Sequence, residues 1–158
     1  MGRRVKLNYS EGTCVLVPVE DGGYARGVIA RYDGKGRVFG YFFGPKYAAM
    51  EQATMIGLYA KDAVLVGKFG DLGLINNEWS ILGQLPGWRR EDWPMPPLIR
   101  VDDDRRHAWL SFYDERTFKF IREEKVDPAL VSQYPEDGLM GSEAVGIYLS
   151  KLLPSVLQ

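Results

Sequence analysis

The sequence predicts a mainly β, α+β domain: a strongly bent antiparallel sheet, or an SH3-like half-open barrel, with a C-terminal helix packed on it. Three observations carry that expectation. Residues 12–43, GTCVLVPVEDGGYARGVIARYDGKGRVFGYFF, hold apolar runs at 14–19, 24–32 and 37–43. These runs are β-branched and aromatic, and too short and glycine-interrupted to make good helices. Between them, Asp21-Gly22-Gly23 and Asp33-Gly34-Lys35-Gly36 supply the positive-φ positions that tight hairpins need. Near the far end, Ser142 followed by Glu143 reads as a helix N-cap with an acidic first turn, and Pro154 as a stop.

The remaining elements follow in order. Residues 1–11 are a basic lead-in to the three-strand unit. Ala48, Ala49, Met50, Glu51 and Gln52 favour helix, so Lys46 to Thr54 is expected to form a turn or two. Strands are expected again over Asp62–Gly70 and Trp79–Leu82. Gly83 to Pro97 carries four of the nine prolines and two of the four tryptophans. Proline cannot donate to a ladder, so this stretch is expected as a surface loop, ordered by the packing of Trp88 and Trp93. Leu98–Val101 enters another strand. His107–Tyr113 and Thr117–Arg122 form a hairpin, with Ala108, Leu110 and Phe112 on one face and His107, Trp109, Ser111 and Tyr113 on the other. Residues 123–141 read as acidic and turn-rich. On the final helix, Ala144, Val145, Tyr148, Leu149 and Leu152 make the stripe expected to lie on the sheet.

Composition narrows the classes. The 158 residues, 46% apolar, are expected to form a single domain, 1–158, with a real core. A net charge of −1 does not suggest a general affinity for nucleic acid or anionic membrane. A single cysteine, Cys14, excludes an intramolecular disulfide framework and fits a reducing compartment. No secretory h-region opens the chain and no apolar run reaches membrane-spanning length, so a cytoplasmic protein is expected.

Three ordered segments carry a family resemblance. Pro18-Val19-Glu20-Asp21-Gly22-Gly23-Tyr24-Ala25-Arg26-Gly27-Val28-Ile29-Ala30 has a strand ending in proline, an Asp-Gly turn, then Tyr-x-x-Gly-x-Val. Glu78-Trp79-Ser80-Ile81-Leu82-Gly83 is a tryptophan strand ending in glycine. Trp93-Pro94-Met95-Pro96-Pro97-Leu98-Ile99-Arg100 leads to the strand around Trp109. Across roughly residues 12 to 113 this series resembles the Immunity protein 26 family of bacterial polymorphic-toxin systems. The resemblance implies a non-catalytic antitoxin-like protein that occludes the active site of one cognate toxin. The same grouping also takes in a small phosphotriesterase type, which implies a hydrolase as the alternative.

The candidate residues bear on that choice. His107, the only histidine, reads either as a general base or metal ligand, or as a strand residue bonding locally beside Trp109. A two-metal phosphotriesterase site of the usual kind needs several imidazoles, which one histidine does not supply; a carboxylate-only site stays open. Asp102-Asp103-Asp104 lacks the spacing and closing glutamate of a calcium loop and reads as a solvated turn or as an attractor for a basic partner. Glu123-Glu124 and Glu136-Asp137 make the later region acidic, a composition suited to steering a toxin. Cys14 reads as a buried small hydrophobe. The expected partner-binding residues are therefore Asp102, Asp103, Asp104, Glu123 and Glu124 by charge, with Trp88 and Trp93 by loop placement. Catalytic work, in the hydrolase alternative, would fall to His107. No metal and no cofactor are expected, and the chain is expected as a monomer or weak dimer. A small-ligand or peptide-binding barrel lined by aromatics is a third reading.

Overall fold

A computed structural model describes residues 6–155. Among these described residues, nine strands form two sheets. The larger is built from β1 (Thr13–Pro18), β2 (Tyr24–Tyr32), β3 (Arg37–Tyr47), β4 (Leu65–Gly70), β5 (Ser80–Gln84) and β9 (Leu139–Met140), in the order β5-β1-β2-β3-β4-β9. The smaller is β6 (Leu98–Val101), β7 (Ala108–Tyr113) and β8 (Phe120–Val126), in that order. Pairing is antiparallel except for β9, which joins β4 in parallel. Among the described residues, two α-helices, α1 (Leu72–Ile75) and α2 (Ser142–Leu152), and four 3-10 turns complete the fold.

The larger sheet bends without closing, with β5 and β9 at its two ends and unpaired to each other among the described residues. The half-open description holds; a closed barrel with a lumen does not form. Large side chains fill the space instead. On β3, Val38 and Phe42 face one way with Val15, Val17 and Ile29, while Phe39, Tyr41 and Phe43 face the other with Cys14 and Val28. The first face is covered by Val145, Leu149 and Leu153 of the α2 region and by Trp79. The second is covered by Leu85, Trp93, Leu98 and Phe118. A strand that is aromatic on both faces is therefore one buried on both faces.

Several expectations shift in register. Residues 46–54 form only a single 3-10 turn, Met50–Gln52, because β3 continues to Tyr47, opposite Tyr24. Lys46 Nζ is held by both carboxylate oxygens of Asp21 at 2.6 and 2.7 Å, so hairpin pairing outweighs local helix propensity. The buried face of α2 is Val145, Gly146 and Leu149, continued by Leu153 at its C-cap, while Tyr148 and Leu152 are exposed. The cause is Gly146, whose missing side chain lets the helix approach β1: a Cβ there would lie 2.6 Å from the Pro18 carbonyl oxygen. Ser142 stands inside α2, after Gly141 at the cap position. Its Oγ accepts from the Gly73 amide at 2.8 Å and donates to the Gly70 carbonyl at 3.2 Å, pinning the helix to the end of β4.

Candidate partner-binding face

The β7–β8 connection decides which acidic side chains share a face. The Asp114 carboxylate accepts from the amides of Arg116 and Thr117, both at 2.8 Å, and Phe118 takes a left-handed φ of 59° that drives its ring into the core. This six-residue loop uses residues 114–119, so β8 starts at Phe120 and runs to Val126, three to four residues beyond the expected strand. Glu123 and Glu124 consequently lie within β8, and the pleat sends them to opposite faces. Glu123 is opposite Ser111, and Glu124 is opposite Leu110.

One face gathers Arg100, Asp102, Asp104, His107, Trp109 and Glu123. The Arg100 guanidinium lies 4.8 Å from the centre of the Trp109 ring, 3.1 Å from Asp102 Oδ1 and 3.6 Å from Glu123 Oε2. His107 Nδ1 is 3.6 Å from Asp104 Oδ2, and its ring lies against Trp109 at 6.0 Å between centroids. The turn beneath is closed by the Asp102 amide donating to the His107 carbonyl at 2.9 Å, with Arg105 in a left-handed conformation. Asp103 and Asp104 are exposed in that turn. Ligand atoms of Asp102, Asp104 and His107 all lie within 4.8 Å of one another, close enough to share a cation. Arg100 already compensates the Asp102 charge.

The other expected residues sit elsewhere. Glu124 is on the reverse face, paired with Arg122, whose guanidinium stacks 3.9 Å from the Phe112 ring centre. Asp137 is drawn into the fold: the Tyr113 hydroxyl donates to it at 2.8 Å, and Lys68 approaches it at 3.5 Å. Burial and then the Asp137 hydrogen bond push the Tyr113 hydroxyl up to about 12. Trp93 is only 4% exposed, edge-on to Tyr41 at 5.2 Å and stacked on Trp88 at 5.8 Å. Trp88 is half-buried and packs over Gly12. The two tryptophans thus order the proline-rich loop, and an edge of Trp93 reaches a groove of about 440 Å³ shared with Met55, Leu58, Tyr59 and Leu85. Cys14 is fully buried, which pushes its thiol up to about 11 despite nearby Arg26.

Beside that groove stand residues that the sequence reasoning passed over. Ile56 is 79% exposed, and Tyr59 is also exposed. The segment is held from below by Arg26, whose Nη1 donates to the carbonyls of Thr54 at 3.0 Å and Ile56 at 2.7 Å. The available signal was Met55-Ile56-Gly57-Leu58-Tyr59, an apolar run interrupted by glycine with no strand or helix period.

The chain is thus an α+β protein with one bent, doubly covered sheet and a mixed-charge face on a second, smaller sheet. The sequence model of the Immunity protein 26 family matches residues 10–110, and the chain belongs to that family. No curated protein and no solved structure matches it.

Proposed function

We propose that this chain is an immunity protein of a bacterial polymorphic-toxin system that binds a cognate toxin domain in the cytoplasm and occludes its active site, with no chemistry of its own. The family match over residues 10–110 is the observation that carries the reading. The geometry supports a protein partner of mixed charge. Arg100 sits between Asp102 and Glu123, with Trp109 beneath it, so positive and negative groups alternate around an aromatic platform. A polyphosphate mimic would present carboxylates without such internal neutralisation. Alternating charge instead fixes the register of a protein partner and speeds its approach.

The test is co-production with the cognate toxin domain that this reading requires, sought in the neighbouring genes. Survival of the host and a co-purifying complex are expected. A toxin that stays lethal with the chain folded and abundant would refute the immunity reading. Reversal of Asp102, Asp103, Asp104 and Glu123 to lysine is expected to slow association; an unchanged rate would exclude this face.

The His107–Asp104 contact at 3.6 Å favours one second reading, a small esterase or phosphotriesterase in which the carboxylate orients the imidazole as base. Hydrolysis of a chromogenic phosphotriester that disappears with His107→Ala would establish it in place of the immunity reading.

A further inference from the structure

Within the smaller sheet, the outer edge of β8 is uncovered. The opposite edge, on β6, is closed by the chain itself: the Ile99 amide donates to the Pro135 carbonyl and the Asp137 amide to the Ile99 carbonyl, each at 2.8 Å. Among the described residues, no backbone group of Phe120–Val126 bonds to anything beyond β7. Phe120 to Lys125 are all exposed, with Phe120 and Ile121 at 56% and 61%. A seven-residue edge with two large apolar side chains is a template for another strand.

We propose that a second copy of this chain docks on β8, antiparallel, about a twofold axis through Glu123, making one six-stranded sheet from two three-stranded ones. The strand Phe-Ile-Arg-Glu-Glu-Lys-Val carries the charge pattern for it. With Glu123 on the axis, Arg122 faces Glu124 of the second copy, and the symmetry makes that pair twice on one face. Ile121 meets the aliphatic stem of Lys125 of the second copy, and all seven residues overlap. On the other face the two Glu123 carboxylates approach each other, each with its own Arg100 at 3.6 Å as counter-charge. The register centred on Arg122 instead opposes Arg122 to itself and Ile121 to Glu123. That centred on Glu124 sets Glu123 against Lys125 twice, but it opposes Glu124 to itself, leaves Arg122 against Val126 and overlaps only residues 122–126, with Phe120 and Ile121 outside the pairing. Charge complementarity together with full overlap of the strand therefore selects the Glu123-centred dimer. The contact is small beside a standard interface of about 1,600 Å², so the dimer is weak and forms only at high concentration.

Sedimentation velocity of the whole chain across a concentration series up to about 1 mM reads the proposal directly. The wild type is expected to move from monomer to dimer, less so in high salt. Arg122→Glu and Glu124→Arg are each expected to stay monomeric, because like charges then face each other across the axis. Mixed in equal amounts, those two variants are expected to form a heterodimer, since each presents what the other lacks. Circular dichroism melts establish that both are folded. If either is not, the double variant Arg122→Glu/Glu124→Arg, which restores the pairing with the signs exchanged, is expected to dimerise like the wild type. A wild type that stays monomeric throughout, single variants that dimerise unchanged, or a mixture or double variant that stays monomeric would each overturn the proposal.

Discussion

Arg31 on β2, only 3% exposed, reaches Glu115 in the β7–β8 loop at 3.3 Å, and this ion pair ties the larger sheet to the smaller one. The guanidinium also donates to the Ala30 carbonyl at 2.6 Å and lies 4.0 Å from Glu11, while its Nε has no partner among the described residues. Arg90 contacts the same two carboxylates, Glu11 at 2.8 Å and Glu115 at 3.5 Å. The buried cation is thus surrounded by half-exposed partners that are individually replaceable. Arg31→Ala, which empties a buried site packed between the two sheets while Arg90 keeps both carboxylates, is expected to cost about 2–4 kcal/mol in urea unfolding. Glu115→Gln, at a more exposed site with Glu11 still present, is expected to cost about 1 kcal/mol or less. Equal losses for the two would refute this asymmetry.

Gly146 sets the distance between α2 and β1. The hypothetical Cβ contact at 2.6 Å is with backbone, the Pro18 carbonyl oxygen, which no rotamer change relieves. Gly146→Ala is therefore expected to destabilise by about 1–3 kcal/mol, although alanine is the better helix former by about 1 kcal/mol. A stabilised variant in thermal melts would show that the helix shifts freely.

Asp33 organises the β2–β3 turn. Its carboxylate accepts from the amides of Lys35 at 2.7 Å and Arg37 at 3.0 Å, and from Arg37 Nε at 2.8 Å. Burial alone would raise its pKa, but these donors outweigh burial and hold it below the ordinary carboxylate value. A lowered folded-state pKa means that the folded protein releases this proton more readily than the unfolded chain. The stabilisation is complete above the unfolded value, about 3.9, and is lost as pH falls through the lowered folded value. Asp33→Asn is expected to be destabilised relative to wild type near neutral pH, with the gap closing in strong acid. Urea melts at several pH values check this; a constant gap would remove the ionised carboxylate from the account.

The three-strand unit was legible because its signals are local: glycines at positive φ in both turns and strands long enough to show their character. The residues that shifted did so for non-local reasons. Nothing adjacent in sequence announces that Gly146 meets Pro18, so the helix stripe moved by a position. Phe118, a large apolar residue in a turn with φ 59°, defies the rule that such positions take glycine or asparagine, and its loop displaced β8. Burial in the second core face compensates for that strain. The candidate face was half legible. Charge located Asp102, Asp104 and Glu123, but the ion pairs through Arg100 and the separation of Glu124 follow from strand pairing alone. Arg26 and Arg31 were invisible as buried groups, because arginine in a strand reads as a solvent-facing residue.

Trp93, Ile56 and Tyr59 separate packing from recognition. Trp93 contacts Tyr41, Phe43 and Trp88 in the core, and the Tyr41 hydroxyl donates to the neighbouring Pro94 carbonyl. Trp93→Ala is expected to cost about 3–5 kcal/mol of stability, so a binding defect in that variant would report unfolding. Ile56→Ser and Tyr59→Ser remove exposed side chains and are expected to change stability by about 0.5 kcal/mol or less. With the proposed toxin partner seated on the groove beside them, these two substitutions are expected to weaken the complex tenfold or more while their melts overlay the wild type. Calorimetric titration of the toxin domain into each folded variant decides it. Unchanged affinity in both would leave binding to the Arg100–Trp109 face, and a Trp93→Ala protein that melts like the wild type would return that ring from the core to the surface.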